Sequence, residues 1–170
     1  AFWNLFGAGM LGFLINTPMA LYFIQGLNTT ATHAHGAFMG VYGNLGIGLM
    51  LFCLVGISKR VGWDDRPLKW AFWCINIGLM AMIVMSLLPV GIIQFIASVE
   101  NGYWFARSPE VIQSEWVRSL VWNRLWGDVI FSLGGLLLAY FGYGLIRGAL
   151  GRSGSEVESR DGNVASVLES

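Results

Sequence analysis

Residues 1–58 read AFWNLFGAGMLGFLINTPMALYFIQGLNTTATHAHGAFMGVYGNLGIGLMLFCLVGIS and contain no Asp, Glu, Lys or Arg. About a quarter of an average soluble chain is charged, whereas a lipid bilayer accepts long apolar segments. Across all 170 residues the hydrophobic share is 55%, the charged share is 12% and the formal net charge is zero. The sequence therefore predicts a multi-pass membrane protein and excludes a basic nucleic-acid binder.

Four apolar runs are long enough for membrane-spanning helices, which need about 20 residues each. None shows the alternation of apolar and polar residues that marks a barrel strand. Because a segment in lipid must satisfy its own backbone hydrogen bonds, the predicted fold class is an all-α membrane protein with four transmembrane helices. Pro18 and Pro89 predict kinks in the first and third helices. The predicted spans are 2–25, 33–57, 70–98 and 127–146.

Basic residues predict the orientation of these helices, because Lys and Arg concentrate in cytoplasmic segments. Three basic residues lie in the link between the third and fourth spans, and seven lie in the other link and the C-terminal region. We therefore expect the C-terminal tail in the cytoplasm and the start of the second helix at the outer face. The inner set is Lys59, Arg60, Arg66, Lys69, Arg147, Arg152 and Arg160; the outer set is Arg107, Arg118 and Arg124.

The segments outside the spans suggest one further helix and a tail. Ser108, Pro109 and Glu110 are a cap residue, a first-turn proline and a first-turn acid, as at a helix start. Apolar residues follow at helical spacing, so we expect a surface helix over about 109–123 on the outer face. From residue 151 to residue 170 the sequence is polar and rich in serine, which predicts a disordered cytoplasmic tail.

Both histidines of the chain lie in the stretch NTTATHAHG, residues 28–36, at the start of the second span. Residues two apart on a helix differ by about 200° around its axis, so His33 and His35 should point in nearly opposite directions. That geometry disfavours one shared metal ion and suits two metals, one on each side; imidazole is a common axial ligand of heme iron. Interfacial histidines bonded to nearby threonines are an equally weighted alternative, and a proton relay is a weaker one.

Other small or polar residues in the spans have structural interpretations. Gly36, Gly40, Gly43 and Gly46 share one side of the second helix and favour close helix packing, with room for a flat cofactor as the alternative. Asn16 and Asn76 are expected to form hydrogen bonds between helices. Arg124 and Asp128, at the outer end of the fourth helix, are expected to form an ion pair, with a role in proton entry from outside as the alternative.

Several short motifs resemble the C-terminal part of the large subunit of bacterial nitric-oxide reductases, in the heme–copper oxidase superfamily. These motifs are FWNLFGAG (2–9), GFLIN (12–16), ALY (20–22), THAHG (32–36) and GVYG (40–43). Two more resemble the quinol-dependent, single-chain type: YWFARS (103–108) and GDVIF (127–131). The resemblance covers nearly all of residues 2–147.

The resemblance implies a role for each histidine. His33 would be the proximal ligand of a high-spin b-type heme and a catalytic residue, and His35 an axial ligand of a low-spin b-type heme. The implied enzyme, in the bacterial inner (cytoplasmic) membrane, reduces nitric oxide to nitrous oxide at the high-spin heme and a non-heme iron. Its electrons come from quinol through the low-spin heme. The glycines at 36, 40 and 43 would then lie against a porphyrin.

The same resemblance implies ligands that this chain lacks. The family needs a second axial histidine for the low-spin heme, and three histidines and a carboxylate for the non-heme iron, but the chain has only two histidines. We therefore expect those ligands upstream of Ala1. The chain is interpreted as a C-terminal fragment of a twelve-helix-type subunit, partnered by lipid and by the remainder of that large polypeptide, and inactive alone. Two alternatives stay open: the same segment of an oxygen-reducing cytochrome oxidase, or a non-catalytic four-helix scaffold.

Overall fold

The computed structural model describes residues 1–57 and 65–168, and it describes the side chains of 1–54 and 65–148. Lys59 and Arg60 of the predicted inner link, and the last two residues of the predicted tail, lie outside the described residues. All regular structure in the described part is helical, which confirms the predicted all-α fold. The helices are α1 (Asn4–Asn16), α2 (Pro18–Ile24), α3 (28–57), α4 (Asp65–Asn101), α5 (Pro109–Ile112) and α6 (Glu115–Leu168), with a 3₁₀ turn at Phe105–Arg107.

Three stretches of the described chain are long and apolar enough to cross a membrane: Asn28–Leu54, Asp65–Asn101 and Glu115–Gly148. The bent pair α1 and α2 makes a fourth span when its two halves are counted together. This count agrees with the four predicted spans. We call the end formed by residues 25–28 and 102–114 the outer end, following the predicted orientation.

The first predicted span, 2–25, is not one helix. It bends by 91° between Asn4–Asn16 and Pro18–Ile24. Thr17, with φ −61° and ψ 132°, is extended, as the residue before a proline prefers. Pro18 cannot donate a backbone hydrogen bond and begins a new helix. The kink predicted at Pro18 is therefore confirmed, and it is sharp enough to divide the span into two helices.

The third span responds differently to its proline. α4 stays continuous through Pro89 and is longer than the predicted 70–98. The backbone is π-helical over Ile83–Leu87, immediately before the proline. Since Pro89 has no N–H for the carbonyl four residues earlier, a locally wider turn accommodates the missing hydrogen bond.

The predicted surface helix at 109–123 is wrong in its extent. α5 has only four residues, and a new helix begins at Glu115 after a break at Gln113 and Ser114. Ser114 caps that helix, because its Oγ accepts from the Val117 N–H at 3.5 Å. Residues 115–123 are therefore the first turns of α6, continuous with the fourth span, and not a separate helix.

The backbone of α6 also departs from the prediction for the tail. It is helical to Leu168, whereas the sequence predicts disorder from residue 151. Extending an existing helix fixes one residue for each new hydrogen bond, so it avoids the unfavourable nucleation step. The polar composition that suggests disorder therefore does not by itself end a helix that is already formed.

The packing is centred on α4. In an 18-residue apolar stretch of α4, 44% is buried, whereas the corresponding shares are 11% for α3 and 17% for α6. Leu79, Ile83 and Leu87 of α4 form the core cluster with Trp3. α4 and α6 meet backbone to backbone: a Cβ on Gly78 would lie 2.5 Å from the Phe131 nitrogen. Glycine at such a contact lets two membrane helices approach closely.

Candidate functional site

The two histidines lie near the outer end of α3 and are both half-buried. His33 is in the second turn, and His35 begins a π-helical stretch, His35–Gly43. The His33 ring contacts α1, and the His35 ring contacts α6. The predicted opposite orientation of the two rings agrees with these contacts.

The His33 ring is held by the backbone of α1. Its Nδ1 is 2.9 Å from the carbonyl oxygen of Gly7. The ring also lies against Gly12, where an added Cβ would be 2.9 Å from the His33 Cε1. Because a carbonyl only accepts, a neutral His33 carries its proton on Nδ1. Its Nε2 then keeps a free lone pair, with no hydrogen-bond partner in the described part of the chain.

The His35 ring is held by its own helix. Its Nδ1 is 2.8 Å from the carbonyl oxygen of Ala31. On its other side, Nε2 is 3.4 Å from Nη2 of Arg124. A guanidinium only donates, so Nε2 accepts and the proton again lies on Nδ1. The Arg124 Nε is 3.3 Å from Oδ1 of Asp128, which confirms the ion pair predicted from the spacing.

Both rings therefore present the same chemistry. Each Nδ1–H donates to a backbone carbonyl, which sets the tautomer and the ring plane, and the Nε2 lone pair is free on His33 and accepts from Arg124 on His35. A metal-ligating histidine has this arrangement, with its other nitrogen bonded to an acceptor. These donors fit axial ligands of two heme irons, one on each side of α3. No group of three His, Cys, Asp or Glu residues that could hold a metal ion occurs among the described residues.

The threonines next to the histidines do not serve as acceptors for either ring. Thr32 Oγ donates to the Asn28 carbonyl at 2.8 Å, and Thr29 Oγ donates to the Ile24 carbonyl at 3.4 Å. Thr30 Oγ accepts from the Gly26 N–H at 3.1 Å. The alternative in which the threonines hold the histidine rings is therefore wrong. The threonines instead complete the backbone bonds at the start of α3.

The glycine face of α3 packs against α1 rather than facing an open space. An added Cβ on Gly36 would be 2.7 Å from the Gly7 Cα, and one on Gly40 would be 2.6 Å from the Trp3 ring. The expectation that Gly36 and Gly40 lie against a porphyrin is thus wrong, since α1 occupies that place. A Cβ on Gly43 would meet only a carbonyl of its own helix.

Side chains from α4 hold the start of α3. The buried Gln94 accepts from the Asn28 N–H at 2.9 Å through Oε1. Its Nε2 donates to the Ala106 carbonyl at 3.4 Å. Ser98, one turn further along α4, donates to the Phe23 carbonyl at 2.8 Å. Sequence reasoning missed both, although two polar residues four apart in an apolar span were a usable signal.

The outer loop clamps the turn that leads into α3. The Tyr103 hydroxyl donates to the Gln25 carbonyl at 2.6 Å. Arg107 Nη2 donates to the carbonyls of Gln25 and Gly26 at 3.1 and 3.0 Å, and its guanidinium lies over the Tyr103 ring. Gly26 has φ +70°, a conformation that favours glycine. This clamp and Gln94 fix where α3 begins, and so where both histidines lie.

A second polar cluster lies near the middle of α3 and joins it to α1 and α4. Trp3 Nε1 donates to Asn76 Oδ1 at 2.7 Å, and Asn44 Nδ2 donates to the same oxygen at 3.2 Å. The three side chains line a groove of about 960 Å³ between α1, α3 and α4. The interhelical role predicted for Asn76 is confirmed, whereas the Asn16 amide donates to Gly12 of its own helix.

Comparisons with known proteins agree with this architecture. A family model described as "Cytochrome C and Quinol oxidase polypeptide I" matches residues 1–130. A nitric oxide reductase polypeptide of Stutzerimonas stutzeri is 24% identical over 139 residues, which is 75% of this chain and 27% of that protein. The chain thus spans about a quarter of the length of this curated relative. The match to most of the chain, together with the helical membrane fold, shows that the chain belongs to the heme–copper oxidase subunit I family.

Proposed function

We propose that this segment supplies two heme ligands from one helix to a membrane enzyme that reduces nitric oxide. His33 is assigned as the proximal ligand of a high-spin heme and His35 as an axial ligand of a low-spin heme. The observation that supports this most is that both rings have Nδ1 bonded to a backbone carbonyl, while one ring contacts α1 and the other contacts α6. The relative named as a nitric oxide reductase favours nitric oxide as the substrate.

The overall reaction of the proposed enzyme consumes two electrons. Two molecules of nitric oxide, two electrons and two protons give nitrous oxide and water. The electrons come from quinol. The two hemes supply the redox centres when bound. The remainder of the same large polypeptide supplies the second axial histidine and the ligands of the non-heme iron. The assembly is assigned to the bacterial inner membrane, with the C-terminal tail in the cytoplasm.

The residues of this chain contribute position and basicity. The hydrogen bond from Nδ1–H to the Gly7 carbonyl fixes the ring plane of His33. It also makes the Nε2 lone pair more basic and so a stronger metal ligand. The Ala31 carbonyl does the same for His35. Because the two rings are two residues apart on one helix, α3 sets the distance between the two centres. The packing of Gly7 on Gly36 keeps that helix in place.

The test is a pair of substitutions in the assembled membrane protein that contains this segment. We expect His35→Ala to remove the low-spin heme signature from the absorption and electron paramagnetic resonance spectra. We expect His33→Ala to abolish nitric oxide turnover while the low-spin signature remains. Gln113→Ala, on the exposed outer loop, is the matched control. Unchanged spectra and turnover in both histidine variants would contradict the ligand assignment and leave a non-catalytic scaffold as the better interpretation.

An oxygen-reducing oxidase is the second candidate, because the matching family model is described by cytochrome c and quinol oxidases. It uses the same two histidines with a different second metal. Gas consumption by the purified protein with quinol distinguishes the two. Nitric oxide consumption with nitrous oxide release supports the first candidate, and oxygen consumption alone supports the second.

A further inference from the structure

A charged pair from α6 lies beside Nε2 of His35. The Arg124 Nη2 is 3.4 Å from Nε2 of His35, while the Arg124 Nε contacts Asp128 at 3.3 Å. The two side chains are 39% and 44% exposed. Arg124 therefore reaches the histidine with one edge of its guanidinium and is tethered by a carboxylate through another.

The surroundings make this charge effective. Residues 1–58 have no Asp, Glu, Lys or Arg, so α1, α2 and α3 bring no ionic side chain to His35. A guanidinium stays cationic in proteins. Charges act over longer distances and more strongly in an apolar medium than in water. In the described structure, Arg124 is the charged side chain that contacts the His35 Nε2, and Asp128 is the carboxylate that contacts Arg124.

An iron held by His35 would use the lone pair that now faces Arg124. The guanidinium would then give up its contact with Nε2, while the Arg124 Nε would keep its contact with Asp128 on the next turn of α6. The Arg124 side chain is 39% exposed, so the described residues do not enclose it. In that arrangement the positive charge would stay near the ligand without a hydrogen bond to the ring.

We propose that Arg124 is a positioning residue that raises the reduction potential of the low-spin heme at His35, and that Asp128 moderates it. This inference rests on the proposed function. The couple gains one electron on reduction, and no covalent bond forms or breaks. A nearby cation stabilises the reduced form, which carries one less positive charge, and a nearby carboxylate stabilises the oxidised form.

The test is a potentiometric titration of the low-spin heme absorbance in the assembled protein. We expect Arg124→Gln to favour the oxidised form on the order of tenfold, which is about 59 mV downward for a one-electron couple. Arg124→Lys keeps the charge and should shift the potential less. Asp128→Asn should shift it upward. A purely structural role of the ion pair predicts shifts in the same direction for Arg124→Gln and Asp128→Asn.

Each outcome bears on the inference. Opposite shifts in Arg124→Gln and Asp128→Asn support it, and an unchanged potential in Arg124→Gln overturns it. If Arg124→Gln loses the heme, an upward shift in Asp128→Asn with a smaller shift in Arg124→Lys supports the inference, and an unchanged or lower potential in Asp128→Asn overturns it. A low-spin heme that persists in His35→Ala contradicts the proposed function instead, so the two failures are distinguishable.

Discussion

The two sides of α3 hold their histidines by different means. On the α1 side, His33 bonds to a backbone carbonyl 26 residues away, and its ring rests on a glycine. On the α6 side, His35 bonds within its own helix and contacts Arg124, which in turn contacts Asp128. The α1 backbone thus fixes the His33 ring, whereas the Arg124–Asp128 pair of α6 lies beside the His35 ring. Substitutions on the two sides should therefore produce separate effects, and substitutions at shared supports should affect both.

Gly36→Val should have the largest effect, because it removes the support that both sides share. Its Cβ would lie 2.7 Å from the Gly7 Cα, so α1 and α3 must separate. Overpacking costs about 1–3 kcal/mol, and a backbone contact that cannot relax belongs at the upper end. We expect loss of both heme signals, measured by heme content of the purified protein. Gly46→Val is the control, since nothing in the described structure lies within 4 Å of its Cβ position. Equal heme content in both variants would contradict the proposed packing role.

Gly12→Ala should affect the His33 side of α3 without affecting the His35 side. Its Cβ would be 2.9 Å from the His33 Cε1, so the ring must move. We expect an altered high-spin spectrum and on the order of a tenfold loss of nitric oxide turnover, since small misplacements of reacting groups are costly. The low-spin spectrum should be unchanged. Gly135→Ala, which has open space around it, is the control. A low-spin change of equal size would show that the sides are coupled.

Gln94→Leu should weaken the common start of α3. It leaves the Asn28 N–H without its acceptor, and a buried unsatisfied donor costs about 1–3 kcal/mol. We expect a lower thermal unfolding midpoint in detergent and small shifts in both heme spectra. Gln113→Leu, an exposed glutamine on the outer loop, controls for the change of residue type. An equal unfolding midpoint in Gln94→Leu and Gln113→Leu would show that the Gln94 hydrogen bond does not stabilise the start of α3.

Asn76→Leu should have the smallest effect and leave both histidines untouched. It removes the oxygen that accepts from Trp3 and Asn44, and such bonds between membrane helices contribute about 0.6 kcal/mol on average. We expect a slightly lower unfolding midpoint with unchanged heme spectra. Asn16→Leu, whose amide bonds only to its own helix in the described structure, should change stability less. A change in either heme spectrum in Asn76→Leu would show that this polar cluster also affects the heme sites.

The number and type of the spans follow from the sequence, but their breaks do not. Hydrophobic length predicts a helix wherever about 20 apolar residues occur, and the spans agree with it. Prolines at 18 and 89 have different outcomes, a 91° bend and a π-helical turn, because the first lies at a site where the chain turns and the second inside the packed α4. Helical periodicity also cannot reveal that Ser114 starts one helix that continues through the fourth span.

The candidate site was predictable from the sequence only where local spacing determines the geometry. Spacing alone places His33 and His35 on opposite sides of a helix. The acceptors Gly7 and Ala31 are backbone carbonyls, which every residue has, so residue type carries no signal for them. The spacing of Arg124 and Asp128 predicts their ion pair, yet their position beside His35 depends on how α6 crosses α3. Contacts between distant elements of this kind arise from packing and not from local pattern.

The π-helical stretch His35–Gly43 gives α3 a constraint on residue number as well as on residue type. Each residue of an α-helix turns the chain by about 100°. If this stretch became α-helical without losing a residue, Asn44 and everything after it would rotate relative to His35, because an α-helical turn holds fewer residues than a π-helical turn. Asn44 would then leave Asn76 while both histidines kept their side chains. The segment is therefore a spacer whose helix type and length together set the rotational phase between the histidines and the part of α3 that follows.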